Sequence, residues 1–455
     1  MVKSFGFYPL VILILLTGCV ERTPYYSDVN NDNIFGAGDT TYVQLSPVWD
    51  AAMGLQTPMD ISIAQDGLLY IADSAAHRIL VLDQGGTPQP AYDQLSGLVD
   101  DQGQTISPLD VDIDKKMNVF FIDGSARVFC WNHYWNQTGI DSIAAAATFV
   151  HENGSTITLT AGTDEWTELL NDRDWTMTQV QWAAPQAKID SLLRPHLFYD
   201  GANPRHSFTD IHYESELSRF TGITTIKDFS NYIVVSDAGG EDSTDHRLLQ
   251  IDFQRVDLLK LSTGNSVWSF TGIFGQTVVE YGTGAGFANH PVSVDADENG
   301  NLFYTQLGSQ FGAHKVRPIV TGSYVTFTST YTGGVNDIMD LGRFQQPRDI
   351  AVDHKGMIYI ANTGAREIQV FDFEGGFFKK AGVEETRIDT TIWVFDGADS
   401  TLVDTILVTE GWGELAYPSA VTVDNRGIIY ICDPISGLIQ RYRLSNFLDE
   451  DLQPN

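Results

Sequence analysis

The sequence predicts an all-β protein folded as a six-bladed β-propeller, in which an N-terminal strand completes the last blade. A segment that alternates like a set of short strands returns six times along the 455-residue chain. No helical periodicity separates the copies. Short antiparallel sheets that recur in this way bury their faces by packing side by side around a central axis.

The repeat is clearest in its first copy, which reads PMDISI, then GLLYIAD, then RILVLD. Each copy predicts a strand of period two, a turn with Asp, Asn or Gly, a second strand and, after a loop, a third strand. We expect a fourth strand in the variable stretch before the next copy. The six copies begin at the following residues: Pro58, Pro108, Phe220, Pro291, Pro347 and Pro418.

The two ends of the repeat region predict how the ring closes. Residues 42–45 alternate like a strand ahead of the first copy, and the last copy ends near Leu444. Pairing between these two segments would remove an open sheet edge. We therefore assign residues 42–447 to the propeller and residues 448–455 to a C-terminal tail.

The repeat resembles a known family. The pattern P-x-D/G-I-A-V-D-x-x-G-x-I-Y-I-A-D, followed by R-I-x-V-F-D, is similar to the NHL repeat, and the resemblance covers residues 42–445. It implies a six-bladed propeller but no particular activity, since one fold hosts many functions. A seventh blade inside residues 133–219 is the alternative to this count.

Residues 133–219 interrupt the repeats between the second and third copies. The segment contains four Trp and five His, and Thr156–Thr160 and Thr176–Trp182 alternate like strands. A long ordered insertion on a rigid scaffold often carries function. The alternative is an enlarged blade whose tryptophans belong to the core.

The charge of the chain excludes one class of partner. There are 27 Lys and Arg against 59 Asp and Glu, which gives a net charge of −32. Nucleic-acid binding needs clustered basic residues and is therefore not expected. The same excess of acid disfavours peripheral binding to anionic lipid.

The N-terminus predicts export. Residues 1–18 contain Lys3 and an apolar run that is too short to span a bilayer. They end in Leu-Thr-Gly before Cys19, which resembles the lipobox of bacterial lipoprotein signals. This resemblance implies an acylated Cys19 and a lipid-held protein of the bacterial cell envelope, outside the cytoplasm. Val20 in place of Asp favours the outer membrane or cell surface, and an ordinary secretory signal is the alternative.

The two remaining cysteines, Cys130 and Cys432, lie in apolar strand patterns. We expect two buried free thiols, although a single disulfide is compatible with an exported protein.

Residues 19–41 form an acidic tether with a candidate metal site. Oxygen-bearing side chains at loop positions one, three, five and twelve are suited to Ca²⁺. The spacing resembles the calcium loop of dockerin and EF-hand modules, although Asn33 replaces the usual glycine. The alternative is a polar spacer without metal. The resemblance implies side-chain ligands at Asp28, Asn30, Asp32 and Asp39, and a backbone carbonyl ligand at Ile34.

A second candidate site lies at the mouth of the central channel. The start of an innermost strand and the end of the second strand fall on the same face of a propeller. Carboxylates gathered there would raise one another's pKa or recruit a cation. The alternative is that they cap turns. The carboxylates at strand starts are Asp60, Asp110 and Asp349. Those at the ends of the second strands are Asp73, Asp123, Asp237 and Asp433.

Catalytic signatures for zinc proteases, serine hydrolases and phosphate-binding loops are missing from the sequence. We therefore expect a binding or assembly module for a protein, peptide or glycan, which meets the bilayer only through Cys19. The alternative is a metal-dependent enzyme similar to the lactonases and lyases built on six-bladed propellers. Ca²⁺ is the one cofactor that either hypothesis uses.

Overall fold

Six antiparallel sheets form the blades of a β-propeller in the computed structural model, and this confirms the predicted fold. The innermost strand of each blade packs against the innermost strand of the next, and the sixth returns to the first. The structure describes the following residues: 42–100, 102–132, 148–150, 156–158, 181–182, 194–201, 218–226, 231–239, 246–260, 266–308, 310–322, 324–382, 385–396, 399–410 and 415–444.

The first two blades follow the N-terminal strand. Strand β1 covers Tyr42–Trp49. The first blade consists of β2 (Pro58–Ile63), β3 (Leu69–Asp73) and β4 (Arg78–Leu82). The second consists of β5 (Asp110–Ile113), β6 (Asn118–Ile122), β7 (Arg127–Asn132) and β11 (His196–Asp200). Between β7 and β11 lie β8 (Thr148–Val150), β9 (Thr156–Thr158) and β10 (Gln181–Trp182).

The third and fourth blades have longer outer strands. The third consists of β12 (Phe220–Thr225), β13 (Tyr232–Asp237), β14 (Arg247–Lys260) and β15 (Ser266–Val279), and β10 pairs with the far end of β14. The fourth consists of β16 (Pro291–Ala296), β17 (Leu302–Gln306), β18 (Ala313–Thr321) and β19 (Tyr324–Ser329).

A separate hairpin lies between the last two blades in the sequence. The fifth consists of β20 (Pro347–Val352), β21 (Ile358–Asn362), β22 (Glu367–Phe371) and β23 (Phe377–Ala381). Strands β24 (Glu385–Asp396) and β25 (Asp399–Glu410) pair with each other. The sixth blade consists of β26 (Ala420–Val423), β27 (Ile429–Asp433) and β28 (Leu438–Leu444), with β1 as its outermost strand.

Two compact units divide the chain. Residues 40–387 and 408–455 form one unit, which holds all six blades. In the other unit, the described residues lie between Ile388 and Leu407, within β24 and β25. Short 3₁₀ helices cover Ala51–Met53, Ser74–Ala76, Pro90–Leu95, Asp337–Met339 and Thr363–Ala365.

The N-terminal strand closes the ring, as the sequence predicts. Strand β1 pairs antiparallel with β28, and Tyr42 lies opposite Leu444. Trp49 at the end of β1 is fully buried, and its ring lies 5.5 Å from that of Tyr430. The closure therefore ties the two ends of the propeller through both a hydrogen-bonded ladder and an aromatic contact.

One expectation about the blades is wrong. We expected a fourth strand in every copy, but the first blade has three strands. The stretch after β4 makes a single bridge from Leu82 to Pro88 and then a 3₁₀ helix that begins at Pro90. Proline cannot donate to a strand ladder, which explains why no fourth strand forms there. Tyr92 and Leu95 of that helix are buried over the sheet instead.

Part of the insertion belongs to the second blade. Strand β11 pairs with β7 and supplies the fourth strand of that sheet, so these residues add to a blade and form no seventh one. Strand β9 matches part of the predicted Thr156–Thr160 strand. Trp135, Trp166 and Trp175 lie outside the described residues.

Apolar layers between neighbouring blades form the core. Cys130 packs with Phe120 and Phe198 between the second and third blades, and Cys432 packs with Trp49 and Tyr430 beside the first. Both cysteines are free and buried, which confirms the expected pair of buried thiols.

The predicted signal segment, Cys19 and the candidate calcium loop, from Asp28 to Asp39, lie outside the described residues. Within the described part of the chain, none of the helices combines the length and the apolar character needed to cross a membrane.

Gly222 lies where two innermost strands pass close to each other. A Cβ added there would lie 2.7 Å from the Ser293 Cα and 3.0 Å from the Val292 carbonyl oxygen, both of which are backbone atoms. We predict that Gly222→Ala lowers the free energy of unfolding by about 2 kcal/mol through overpacking, as measured by urea denaturation. Gly284→Ala, where the nearest atom is at 3.5 Å, is the matched control. Equal stability of the two variants would contradict this close packing.

Candidate functional site

The innermost strands enclose a cavity of about 350 Å³ on the propeller axis. Residues at the starts of these strands lie at one end of the cavity, and the turns that lead to the second strands lie at the other end. We call the first end the floor and the second end the rim. The floor contains Asp60, Asp110, Ser293 and Asp349.

The floor carboxylates bind the backbone of the next blade. No further strand lies between an innermost strand and the axis, so its inner N–H groups lack partners from a sheet ladder. The amide of Val111 donates to Asp60 Oδ2 at 2.9 Å, and the amide of Val421 donates to Asp349 Oδ2 at 2.7 Å. The amide of Ile223 donates to Asp110 Oδ2 at 3.3 Å. Each floor aspartate thus connects its own blade to the following one.

Two further aspartates repeat this arrangement in the layer above the floor, one step closer to the rim. The amide of Thr225 donates to Asp112 Oδ2 at 2.7 Å, and the amide of Val352 donates to Asp295 Oδ2 at 2.8 Å. Both aspartates line the cavity. Sequence reasoning missed them. The available signal was the period of two, which places Asp112 two residues after Asp110 on the same face of the strand.

Blades without a floor carboxylate use hydroxyl groups. The first-position residues of the third and sixth blades are Gly222 and Ala420. Just before them, Thr221 Oγ1 donates to the Pro291 carbonyl at 2.9 Å, and Ser419 Oγ donates to the Met59 carbonyl at 2.8 Å. These contacts join the third blade to the fourth and the sixth blade to the first.

Burial and mutual repulsion favour the protonated form of the floor carboxylates. Burial raises the pKa of Asp60 to about 6, against the lowering effect of the hydrogen bond from Val111. Burial also raises the pKa of Asp110 and that of Asp349 well above the ordinary value, and the charge of Asp60 adds to both shifts. Asp60 and Asp349 are each only 8% exposed.

Asp60 and Asp110 influence each other's ionisation. Their side-chain interaction lowers the pKa of Asp60 and raises that of Asp110, and the charge of Asp60 also raises the pKa of Asp110. Two neighbouring carboxyl groups of this kind titrate together rather than independently.

The strand-end aspartates lie at the predicted end of the blades, but they serve the loops. Asp73 lies opposite Pro58. It accepts the Thr57 amide at 2.7 Å and pairs with Arg78 at 3.1 Å. Asp433 accepts the amides of Ala416 and Tyr417 at 2.9 and 3.0 Å.

The other two strand-end aspartates behave in the same way. Asp123 pairs with Arg127 at 2.6 Å. Asp237 accepts the Arg219 amide at 2.9 Å and the Ser218 hydroxyl at 2.8 Å. None of the four strand-end aspartates is among the residues that line the cavity. The structure therefore separates the seven carboxylates into a floor set and a set that caps loops.

The rim is polar and of mixed charge. Its turns are fixed by aspartates such as Asp114, whose Oδ1 accepts the amides of Lys116 and Asn118 at 2.8 Å each. The rim side chains are Gln65, Lys115, Glu298, His354 and Asn425, of which all but Lys115 are exposed.

The arrangement is rich in carboxyl oxygens, which accept hydrogen bonds. Five aspartates line the floor and the layer above it. Among the described residues, no group of three or more His, Cys, Asp or Glu side chains is placed to hold a metal ion. The sequence predicts a cation beside these aspartates, and this stays a prediction. The contacts that the floor aspartates make with the neighbouring blades are hydrogen bonds.

No protein-family model and no curated protein match the chain. Similar solved structures include a gluconolactonase from Xanthomonas campestris, with 11% identity, a TM-score of 0.41 and coverage of 90% of this chain and 98% of that one. Virginiamycin B lyase from Staphylococcus aureus has 10% identity, a TM-score of 0.38 and coverage of 89% and 100%. An auxiliary nutrient binding protein from Bacteroides ovatus has 9% identity, a TM-score of 0.45 and coverage of 89% and 77%. Likenesses at this level carry no argument about function, and the NHL resemblance rests on the repeats and the six-bladed fold.

Asp60 predicts a specific pH dependence of stability. Because folding raises its pKa from 3.8 to about 6, Asp60 stabilises the fold at acidic pH, and this contribution is lost as the pH rises through 6. Asp60→Asn keeps an acceptor for the Val111 amide but does not titrate. We predict that, between pH 4 and 7, the wild type loses on the order of 3 kcal/mol of unfolding free energy relative to this variant.

Urea denaturation at several pH values measures this difference. Asp66→Asn, at an exposed turn position of the same blade, is the control and should leave the pH dependence unchanged. Parallel pH profiles for the wild type and Asp60→Asn would show that folding does not raise the pKa of Asp60.

Proposed function

We propose that the protein is a lipid-anchored, extracytoplasmic binding module that takes a small, donor-rich ligand into the central cavity. An amine or a sugar unit has the required chemistry. The observation that supports this proposal is a cavity of about 350 Å³ lined by eight aspartates, five of which lie on the floor and in the layer above it. Ligand sites in proteins commonly have volumes of about 300–1,000 Å³, so a ligand of the size of a sugar unit is suited to it.

The acceptors in this cavity are held rigidly. Each floor aspartate uses one carboxylate oxygen to bind an amide of the neighbouring blade, so its position is set by two sheets at once. Groups fixed before a ligand arrives lose little conformational entropy on binding. A ligand that brings its own donors would therefore meet acceptors already in place.

The alternative function, a metal-dependent enzyme of lactonase or lyase type, is favoured by one observation. Burial raises the pKa of Asp60 to about 6, and a carboxyl group with such a pKa is suited to general acid or base catalysis near neutrality. Its test is a screen of lactones and esters with Asp110→Asn as the comparison. Turnover that this variant abolishes would favour the enzyme over the binding module.

The ligand class is tested with two defined sets of probes, polyamines such as spermidine and neutral mono- and disaccharides. We predict that at least one of these sets raises the melting temperature of the full chain and gives a measurable heat by calorimetry. Thr422→Phe, which places a ring among the cavity-lining residues, should weaken that binding at least tenfold.

Thr332→Phe, at an exposed position away from the cavity, is the matched control and should bind like the wild type. Undiminished binding by a folded Thr422→Phe variant would place the ligand elsewhere. A chain that binds neither set of probes would refute the proposed ligand class.

The tether supports a separate proposal, in which Ca²⁺ binds the loop from Asp28 to Asp39. Seven-coordinate Ca²⁺ takes several carboxylate oxygens from such a loop. We predict that calorimetry of the full chain detects one calcium site and that Asp32→Ala removes it. Asp50→Ala, beyond the loop, is the control. A site that survives Asp32→Ala would direct attention to the cavity floor.

A further inference from the structure

Four hydroxyl side chains occupy the innermost strands at the level of the cavity floor or of the layer above it. Three of them donate to carboxylates. Ser62 Oγ donates to Asp112 Oδ1 at 2.7 Å, and Ser293 Oγ donates to Asp349 Oδ1 at 2.5 Å. Thr224 Oγ1 donates to Asp112 Oδ2 at 3.4 Å. These three hydroxyl groups are therefore used within the propeller.

Thr422 carries the fourth hydroxyl group, and the propeller makes no use of it. The side chain lines the cavity and is 8% exposed. Among the described residues, none donates a hydrogen bond to its Oγ1 or accepts one from it. A polar group in a buried site costs free energy unless it is hydrogen-bonded. The hydroxyl group of Thr422 is therefore available to a molecule inside the cavity.

The backbone N–H of Val423 points at the channel in the same layer. Two residues earlier, the amide of Val421 donates to Asp349 across the channel edge, and N–H groups two residues apart in a strand point the same way. Asp295 of the fourth blade accepts the corresponding amide of the fifth blade. The fifth blade has Ala351 in that place, and its methyl group cannot accept a hydrogen bond.

Ile63 repeats this arrangement in the first blade. The amide of Ala64 donates to the Leu68 carbonyl at 2.9 Å within the blade, so the preceding N–H, that of Ile63, points at the channel. In the described part of the chain, no carboxylate accepts it. Ile63, Thr422 and Val423 all line the cavity. We call the two N–H groups and the hydroxyl group of these three residues the donor wall.

The cavity therefore combines a donor wall with the carboxyl groups of the floor. An ammonium group only donates hydrogen bonds, whereas a hydroxyl group both donates and accepts them. Burial raises the pKa of Asp60 to about 6 and that of Asp110 well above its ordinary value. These shifts favour the neutral form of the floor, which lessens its attraction for a cation. A neutral ligand with several hydroxyl groups is suited to both parts of the cavity.

We propose that the ligand of the cavity is a neutral sugar unit and that Thr422 selects it over an amine. Oxygen atoms of the sugar accept hydrogen bonds from the donor wall, and its hydroxyl groups donate to the carboxyl groups of the floor. The inference rests on the proposed binding function. A cavity of about 350 Å³ has room for one sugar ring.

Calorimetry of the full chain tests this with glucose, galactose, maltose and cellobiose, and with spermidine in a parallel titration. Thr422→Val removes the hydroxyl group but keeps the branched shape of the side chain. We expect this variant to bind the preferred sugar about tenfold more weakly than the wild type, because the sugar loses one hydrogen bond. Thr422→Ser keeps the hydroxyl group and should bind like the wild type, as should Thr332→Val at an exposed position.

The melting temperature of the empty protein separates selection of the ligand from a structural role. Because the hydroxyl group of Thr422 has no partner in the described part of the propeller, Thr422→Val should leave this temperature unchanged. Thr225→Val is the comparison. It removes a hydroxyl group that donates to Asp112 Oδ2 at 2.9 Å and should lower the melting temperature.

Two results would overturn the inference and leave the binding function in place. The first is equal sugar binding by the wild type and Thr422→Val. The second is binding of spermidine by a chain that binds none of the sugars. A chain that binds neither kind of probe would refute the proposed function, and the inference with it.

Discussion

The inner edges of six sheets meet around one axis, and their unpaired amide groups set the main constraint on this structure. A buried backbone N–H without a partner costs free energy comparable to a lost hydrogen bond. Here carboxylates of the preceding blade accept several of these hydrogens, as Asp60 does for Val111 and Asp349 does for Val421. The acidic cavity is thus a consequence of how the blades are joined.

This way of joining the blades also explains the chemistry of the floor. Carboxylates that must reach the inner edges are brought close to one another and away from water, and both effects raise their pKa values. Burial and the charge of Asp60 together raise the pKa of Asp110, and burial raises the pKa of Asp60. At Gly222 and Ala420 the ring has no carboxylate, and the hydroxyl groups of Thr221 and Ser419 take over the contact between blades.

Much of the fold was predictable from the sequence because the repeat sets strand, turn and register together. Pro58, for example, lies opposite Asp73, as the repeat implied. The sequence could not reveal which aspartates face the cavity, because the repeat places Asp73 and Asp60 at the same end of the blade. Only the position of Arg78 and of the Thr57 amide decides that Asp73 serves the loop. The first blade lacks a fourth strand because prolines follow β4. These prolines lie outside the repeat pattern, so the repeat could not predict their effect.

Both the binding proposal and the enzyme alternative use the carboxyl groups of the floor. The two proposals differ in what they require of basic side chains near the substrate. General acid and base catalysis needs two groups of different pKa placed against the substrate. Among the described residues that line the cavity, the only basic side chains are Lys115 and His354, and both lie at the rim. The floor itself holds carboxyl groups fixed by neighbouring strands. Because the contacts between blades hold these carboxyl groups in place, we propose that they bind a donor-rich ligand, with the enzyme as the alternative.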